Sequence, residues 1–186
     1  VNVGDFYSCL SLATEARKYG RIDAVVHSAG ITRPAGSILD MPVEEWENVI
    51  KVNLTGAFFL AKACIPPMLE AGQGAMVFFS SRAAKTGFAA LGSNGAKTKA
   101  HYCASKAGVI SLVTSLAMEL APYGIRVNGV APGPVQGTMI PKESWPVIAE
   151  KVPLNRLGTP AAMAEGAWFL CPPQAAFLTG PLPDIH

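Results

Sequence analysis

Ala75-Met-Val-Phe-Phe79, followed at once by Ser80-Ser81, is the stretch that decides the fold. The run is too short for a helix, and its Val and Phe residues suit a strand. It is apolar throughout instead of alternating, which belongs to a strand buried on both faces. Two other short runs read the same way. Ile22-Asp-Ala-Val-Val26 leads to Ser28-Ala29-Gly30, and Ile125-Arg-Val-Asn-Gly-Val130 leads to Pro132-Gly133.

Between these strands the apolar spacing is helical. Residues 5–18 place Phe6, Leu10, Ala13 and Ala16 near one face, with Gly20 as a stop. A long helix begins near Pro42, with Glu44 and Glu45 in the turn where the helix dipole favours them. Trp46, Val49, Ile50, Asn53, Leu54 and Ala57 share its apolar face, and Pro66-Pro67 are expected to end it. Further helices cover about residues 101–120 and 161–170. Alternation of helix and strand predicts an α/β chain with a doubly wound parallel sheet, forming one domain over residues 1–186. Ligands bind beyond the carboxyl ends of such strands. The places to look are therefore Ser28-Ala29-Gly30, Ser80-Ser81 and Pro132-Gly133.

Composition narrows the function. The 186 residues are half hydrophobic, with a mean hydropathy of +0.30, so a disordered chain is excluded. Fifteen basic against thirteen acidic residues leave a net charge of +2, which argues against nucleic acid or an anionic membrane as partner. The greasiest stretch, Gly56-Ala-Phe-Phe-Leu60, meets Lys62 well short of the roughly 20 apolar residues a membrane span requires. The cysteines, Cys9, Cys64, Cys103 and Cys171, are far apart and show no metal-ligand spacing with His27, His101 or His186. They read as free thiols in a reducing, cytoplasmic compartment, with no metal site. Trp46 and Trp168 read as core. Val1-Asn-Val3 and Asp184-Ile-His186 both read as interrupted strands, so pieces are expected to be missing at both ends.

Three features carry chemistry. Tyr102 and Lys106 stand four apart on a helix, on one face. An ammonium beside a phenol stabilises the phenolate, which is expected to lower the pKa of Tyr102 and fit it for acid–base work. Ser81, at a strand end, suits a hydroxyl donating to an oxygen on which charge develops. Asn53 lies on an apolar stripe and must find partners. It either bridges to the backbone of a neighbouring strand or holds a local break in its helix with a bound water. A Gly-rich phosphate fingerprint is absent; Gly72-Gln-Gly74 precedes a strand and reads as a loop.

Taken in order, Ser28-Ala29-Gly30, Asn53-Leu-Thr-Gly56, Ser81, Tyr102-x-x-x-Lys106 with Ser105, and Arg126-Val-Asn-Gly-Val-Ala-Pro132-Gly133 resemble the short-chain dehydrogenases/reductases. Pro153-Leu-Asn-Arg156-Leu-Gly158 and Thr179-Gly180 are similar to that family's C-terminal pattern. The resemblance spans all 186 residues. It implies a Rossmann-like sheet that is incomplete at its N-terminal half, since the family's Gly-rich turn and first strands are absent. It implies NAD or NADP as cofactor and hydride exchange with a small-molecule carbonyl or secondary alcohol.

The residue roles follow from the same resemblance. Tyr102 is the acid/base. Lys106 lowers its pKa and holds the nicotinamide ribose. Ser81, not Ser80, orients the substrate, and Asn53 serves a proton relay. Asn2-Val3 matches the adenine contact. Ser28, Ala29 and Gly30 match the family's Asn-Ala-Gly beside the cofactor, with Ser for Asn. Pro132, Gly133 and Val135 match the segment that holds the carboxamide, with Thr138 one residue late. A homodimer or homotetramer is expected through the helix carrying Val109, Ile110, Leu112, Val113, Leu116, Ala117 and Leu120. A non-catalytic relative of the same fold, binding a partner through its sheet edge or helices, is the competing reading. A Gly-rich turn upstream would decide for the enzyme.

Residues 82–99 form a long basic connection with Arg82, Lys85, Lys97, Lys99 and no acid. Gly87, Gly92, Ser93 and Gly95 break it. It reads either as a solvated loop or as a mobile flap that draws in an anionic substrate. Ser81 and Tyr102 stand 21 residues apart across it, more than the family's usual spacing.

Overall fold

The computed structural model describes residues 1–92 and 95–185; Ser93 and His186 lie outside them. Four parallel strands form the sheet: β1 (Ala24–His27), β2 (Gly74–Phe79), β5 (Ile125–Pro132) and β6 (Asp184–Ile185), in the order β1-β2-β5-β6. Two more, β3 (Ala89–Gly92) and β4 (Gly95–Thr98), pair antiparallel as a separate hairpin. The helices are α1 (Phe6–Arg17), α2 (Val43–Ile50), α3 (Gly56–Ala71), α4 (Ala83–Thr86), α5 (Ala100–Leu120), α6 (Trp145–Ala149) and α7 (Pro160–Phe169).

The pleat of the strands divides the core in two. Met76 and Phe78 of β2 and Ile125 and Val127 of β5 face α1, α3 and α5. Val77 and Val130 face the other way, onto Ala167 and Leu170 at α7. Helices thus cover both faces, as the continuous apolar runs require. Pairing of Val26 with Val77, and of Phe79 with Val130, brings the carboxyl ends of β1, β2 and β5 to one edge.

Four expectations are corrected. Pro66 and Pro67 do not end the long helix; both lie inside α3, which runs to Ala71 and stops at Gly72 in the left-handed region (φ +65°). Each missing N–H weakens the helix, but Pro67 and Met68 are buried among the core side chains, and that packing wins. Second, Val43–Ala71 and Ala100–Tyr123 are each long and apolar enough to cross a membrane by length and composition. The sequence hid this because the first is built from three consecutive helical pieces. Both pack into the core beside the sheet through Ala57, Leu60, Val109, Val113 and Leu120. Third, Trp46 and Trp168 are not core: they are 37% and 71% exposed. Fourth, of the seven apolar positions on α5 assigned to a subunit contact, Val109, Val113, Leu116, Ala117 and Leu120 are already buried within the chain.

Candidate active site

The first turns of α5 are tied down over the end of β2. Lys106 Nζ donates to the Phe79 carbonyl at 2.7 Å, and Ser80 Oγ donates to the Lys106 carbonyl at 2.7 Å. Ser105 Oγ donates to the Tyr102 carbonyl at 2.8 Å. Ser80 is thereby committed to the scaffold. Ser81 differs: its oxygen accepts from Ala83 N–H at 3.2 Å, and its hydroxyl is hydrogen-bonded with that of Tyr102. Ser81, and not Ser80, is thus the serine that meets the Tyr102 hydroxyl.

Asn53 sits at the centre of a π-helical turn, Lys51–Thr55, between α2 and α3. The widened turn aims the fully buried side chain at the chain leaving β1. Its oxygen accepts from Ile31 N–H at 2.7 Å. Its amide donates to the Ile31 carbonyl at 2.9 Å and to Ser105 Oγ at 3.0 Å. Both readings of Asn53 thus meet: it bridges to backbone beside a strand, and it does so from a break in the helix. Leaving such a group unpartnered would cost of order 1–3 kcal/mol.

Gly30 completes the contact of the three elements. A Cβ there would stand 3.2 Å from Lys106 Nζ and 3.3 Å from Asn53 Oδ1. The absence of a side chain lets the chain after β1 pass against both. Ser28 is exposed and makes no side-chain hydrogen bond among the described residues, so Asn53 provides the tie that Ser28 does not. Ala29 is half-buried between them.

The electrostatics depart from the expected pattern. Burial pushes the Tyr102 hydroxyl above its ordinary value, and its hydrogen bond with Ser81 offsets part of the rise. The pKa of Tyr102 is therefore not lowered. The Lys106 ammonium is held at the Phe79 carbonyl, and burial brings its own pKa down to about 8. His27 is held neutral. Burial, then the Lys106 charge, push it down to about 4, and its ring stacks on Phe78. Sequence reading did not single out His27; its position, just before the strand-end Ser28, was the available signal.

The remaining candidates lie at the same edge or at its margin. Pro132 ends β5 and its carbonyl accepts from Arg82 N–H at 2.9 Å. Gly133 N–H donates to Ile185, and Val135 bridges to Gly158. Thr138 is exposed in the turns beyond and makes no side-chain hydrogen bond among the described residues. Asn2 and Val3 precede α1. Asn2 Oδ1 accepts from Gly4 N–H at 3.0 Å, while Val3 packs against Gly56.

The 20 residues between Ser81 and Tyr102 include α4, the β3–β4 hairpin and the first residues of α5. This is an ordered ladder and not a free flap over its described residues. Thr98 and Gly36 exchange both backbone hydrogen bonds, at 2.9 and 3.0 Å, joining the hairpin to the chain after β1. Lys85 is paired with Asp184 at 2.7 Å, so the basic connection is partly neutralised.

Residues 1–182 match a family model described as enoyl-(acyl carrier protein) reductase. A 3-oxoacyl-[acyl-carrier-protein] reductase from Thermotoga maritima is 38% identical over 167 residues, covering 88% of this chain and 64% of the relative. The chain thus spans just under two thirds of that relative's length. An uncharacterised short-chain type dehydrogenase/reductase from Sinorhizobium fredii is 34% identical over 100% of this chain and 72% of its own length. The solved structure titled "ElxO with NADP Bound" is 28% identical and superposes with a TM-score of 0.90, over 100% of this chain and 74% of that one.

Proposed function

Because the chain belongs to the short-chain dehydrogenase/reductase family, we propose that residues 1–186 form one dinucleotide-binding and catalytic domain of an NAD- or NADP-dependent oxidoreductase. Its substrate is a small carbonyl compound or secondary alcohol. The observation that carries this reading is the tethering of Tyr102 and Lys106 over the end of β2, with the Ser81 hydroxyl hydrogen-bonded to that of Tyr102.

The chain fits the cofactor. Among the described residues Lys106 donates one hydrogen bond, which leaves two N–H bonds of a buried ammonium for the hydroxyls of a ribose. Gly30 leaves the space above that ammonium clear of a side chain. Ser28, Ala29, Gly30, Pro132, Gly133, Val135 and Thr138 would flank the nicotinamide end, and Asn2 and Val3 the adenine end. Bound there, the nicotinamide supplies or accepts the hydride.

The chain's own residues handle the proton and the oxygen. Ser81 donates to the substrate oxygen and holds it near Tyr102. Tyr102, kept protonated by burial, gives its proton to that oxygen in reduction and takes it back in oxidation. Asn53 acts as a positioning residue. Both its amide protons are used by Ile31 and Ser105, so only a lone pair of its oxygen is left for a proton relay. The intact set favours the enzyme over a non-catalytic relative of the same fold.

A cytoplasmic location and assembly as a homodimer or homotetramer belong to the same reading. All four cysteines are free, and Met118 of α5 and Phe58 of α3 remain exposed. The test is titration of the full-length protein with NADH and NADPH, followed by fluorescence. Saturable binding of at least one is expected; binding of neither would overturn the reading.

A further inference from the structure

Lys99 spans the gap between two segments that leave the sheet at the candidate site. It is the N-cap of α5, one turn before Tyr102. Its ammonium donates to Thr32 Oγ1 at 3.3 Å, in the segment after β1. The same ammonium lies 5.1 Å from the centre of the Phe88 ring, in the segment after β2. Each support is itself held. Ile31, next to Thr32, is bonded at both its N–H and its carbonyl to Asn53. Thr98, next to Lys99, is paired on both sides with Gly36. The frame that positions Tyr102 therefore also positions this charge.

The charge has no carboxylate partner among the described residues, and its ionisable neighbour Cys103 has a thiol that burial pushes up and keeps neutral. Among the described residues no carboxylate lies within 4 Å of Lys99, and Thr32 is neutral. The side chain is half-buried, and burial pushes its pKa below the ordinary value. An ammonium that has lost water and gained no anion is unfavourable. The other lysines of the connection differ: Lys85 has Asp184 as partner, and Lys97 is exposed to water. Lys99 stands three residues before Tyr102, so their backbones are about one helical turn apart at the start of α5.

We propose that Lys99 anchors a negatively charged group of the substrate, so that the enzyme takes carbonyl compounds that carry a carboxylate or similar anion close to the reacting carbon. This rests on the reductase reading and names the substrate class of that site. The Phe88 ring and the Thr32 hydroxyl hold the ammonium in place when the site is empty, and the anion takes its remaining N–H bonds.

The test pairs pyruvate, acetoacetate and levulinate, each with its own methyl ester, on the full-length protein with NADPH and NADH. Binding is read by saturation-transfer NMR and turnover by kcat/KM, at low salt. Wild type should prefer at least one acid over its ester by about tenfold or more, the size expected for a hydrogen bond to a charged group. Lys99→Met should bring that ratio close to one, Lys99→Arg should keep most of it, and added salt should narrow it. Wild type that binds no acid better than its ester, or a ratio unmoved by Lys99→Met, would overturn the proposal. The reductase reading is separately visible. Ester turnover that depends on Tyr102 upholds it whatever Lys99 does, and anion binding with no turnover of any compound counts against it alone.

Discussion

Tyr102→Phe should lower turnover by a factor on the order of 10²–10⁴, the loss expected for a positioned acid or base, while the fold and cofactor affinity stay in place. Phe keeps the ring that packs at the start of α5 and removes only the hydroxyl. The backbone around it is held independently, since Ser105 bonds the Tyr102 carbonyl and Ser80 bonds the Lys106 carbonyl. Burial keeps the Tyr102 proton on oxygen above the ordinary phenol value, so the residue is a better donor than acceptor near neutrality. Reduction should accordingly lose no activity to Tyr102 ionisation anywhere in the neutral range. Turnover, an NADPH titration and circular dichroism on the same variant check the three parts. Retention of more than a tenth of wild-type turnover would remove Tyr102 from the mechanism.

Lys106→Ala should damage rate and cofactor affinity together, because one ammonium serves both. Truncation also leaves the Phe79 carbonyl without its donor and opens space beside Gly30. The pH dependence distinguishes this from simple misfolding. Burial brings Lys106 down to about 8, from an ordinary value of 10.5. Below pH 8 the ammonium is present in folded and unfolded chains alike, and its desolvation cost is fully felt. Between pH 8 and 10.5 the folded chain has released the proton while the unfolded chain still holds it, so this residue's penalty shrinks as pH rises. Cofactor affinity should move the opposite way. The ribose contact needs the N–H bonds of the charged form, so affinity should weaken as pH climbs through about 8. That inflection should be missing from Lys106→Ala. If the variant loses rate but binds cofactor as wild type does, the ribose contact is wrong.

Much of this arrangement was legible before any coordinates. The parallel sheet was, because β2 and its neighbours carry continuous apolar runs that only a doubly covered sheet accommodates. Asn53 was, because a polar residue on an apolar stripe must find partners. Ser81 was preferred to Ser80 by position alone, and the hydrogen bond from Ser80 to Lys106 supplies the physical reason. What failed was what depends on burial. Spacing puts Lys106 four residues from Tyr102, but it cannot show how deeply the phenol is buried, and that burial raises its pKa where the spacing predicts a fall. Pro66-Pro67 misled for a similar reason: local propensity argues for a stop, and core packing overrides it. Residues 82–99 looked like a flap because small residues obscure strand periodicity. The contact of Lys99 with Thr32, across 67 residues, has no local signature at all.

The central claim is hydride transfer to a carbonyl carbon, with the proton supplied by Tyr102. Its most direct measurement is isotope transfer. The full-length protein is incubated with NADPH or NADH deuterated at the transferable position and with the oxo acids and esters above, and the alcohol product is analysed by mass spectrometry and NMR. The account predicts one deuterium on the carbinol carbon, delivered to a single face, and no labelled alcohol from Tyr102→Phe above the residual rate. Alcohol formed without label on that carbon, or no alcohol from any carbonyl compound while the deuterated cofactor is bound, would contradict it.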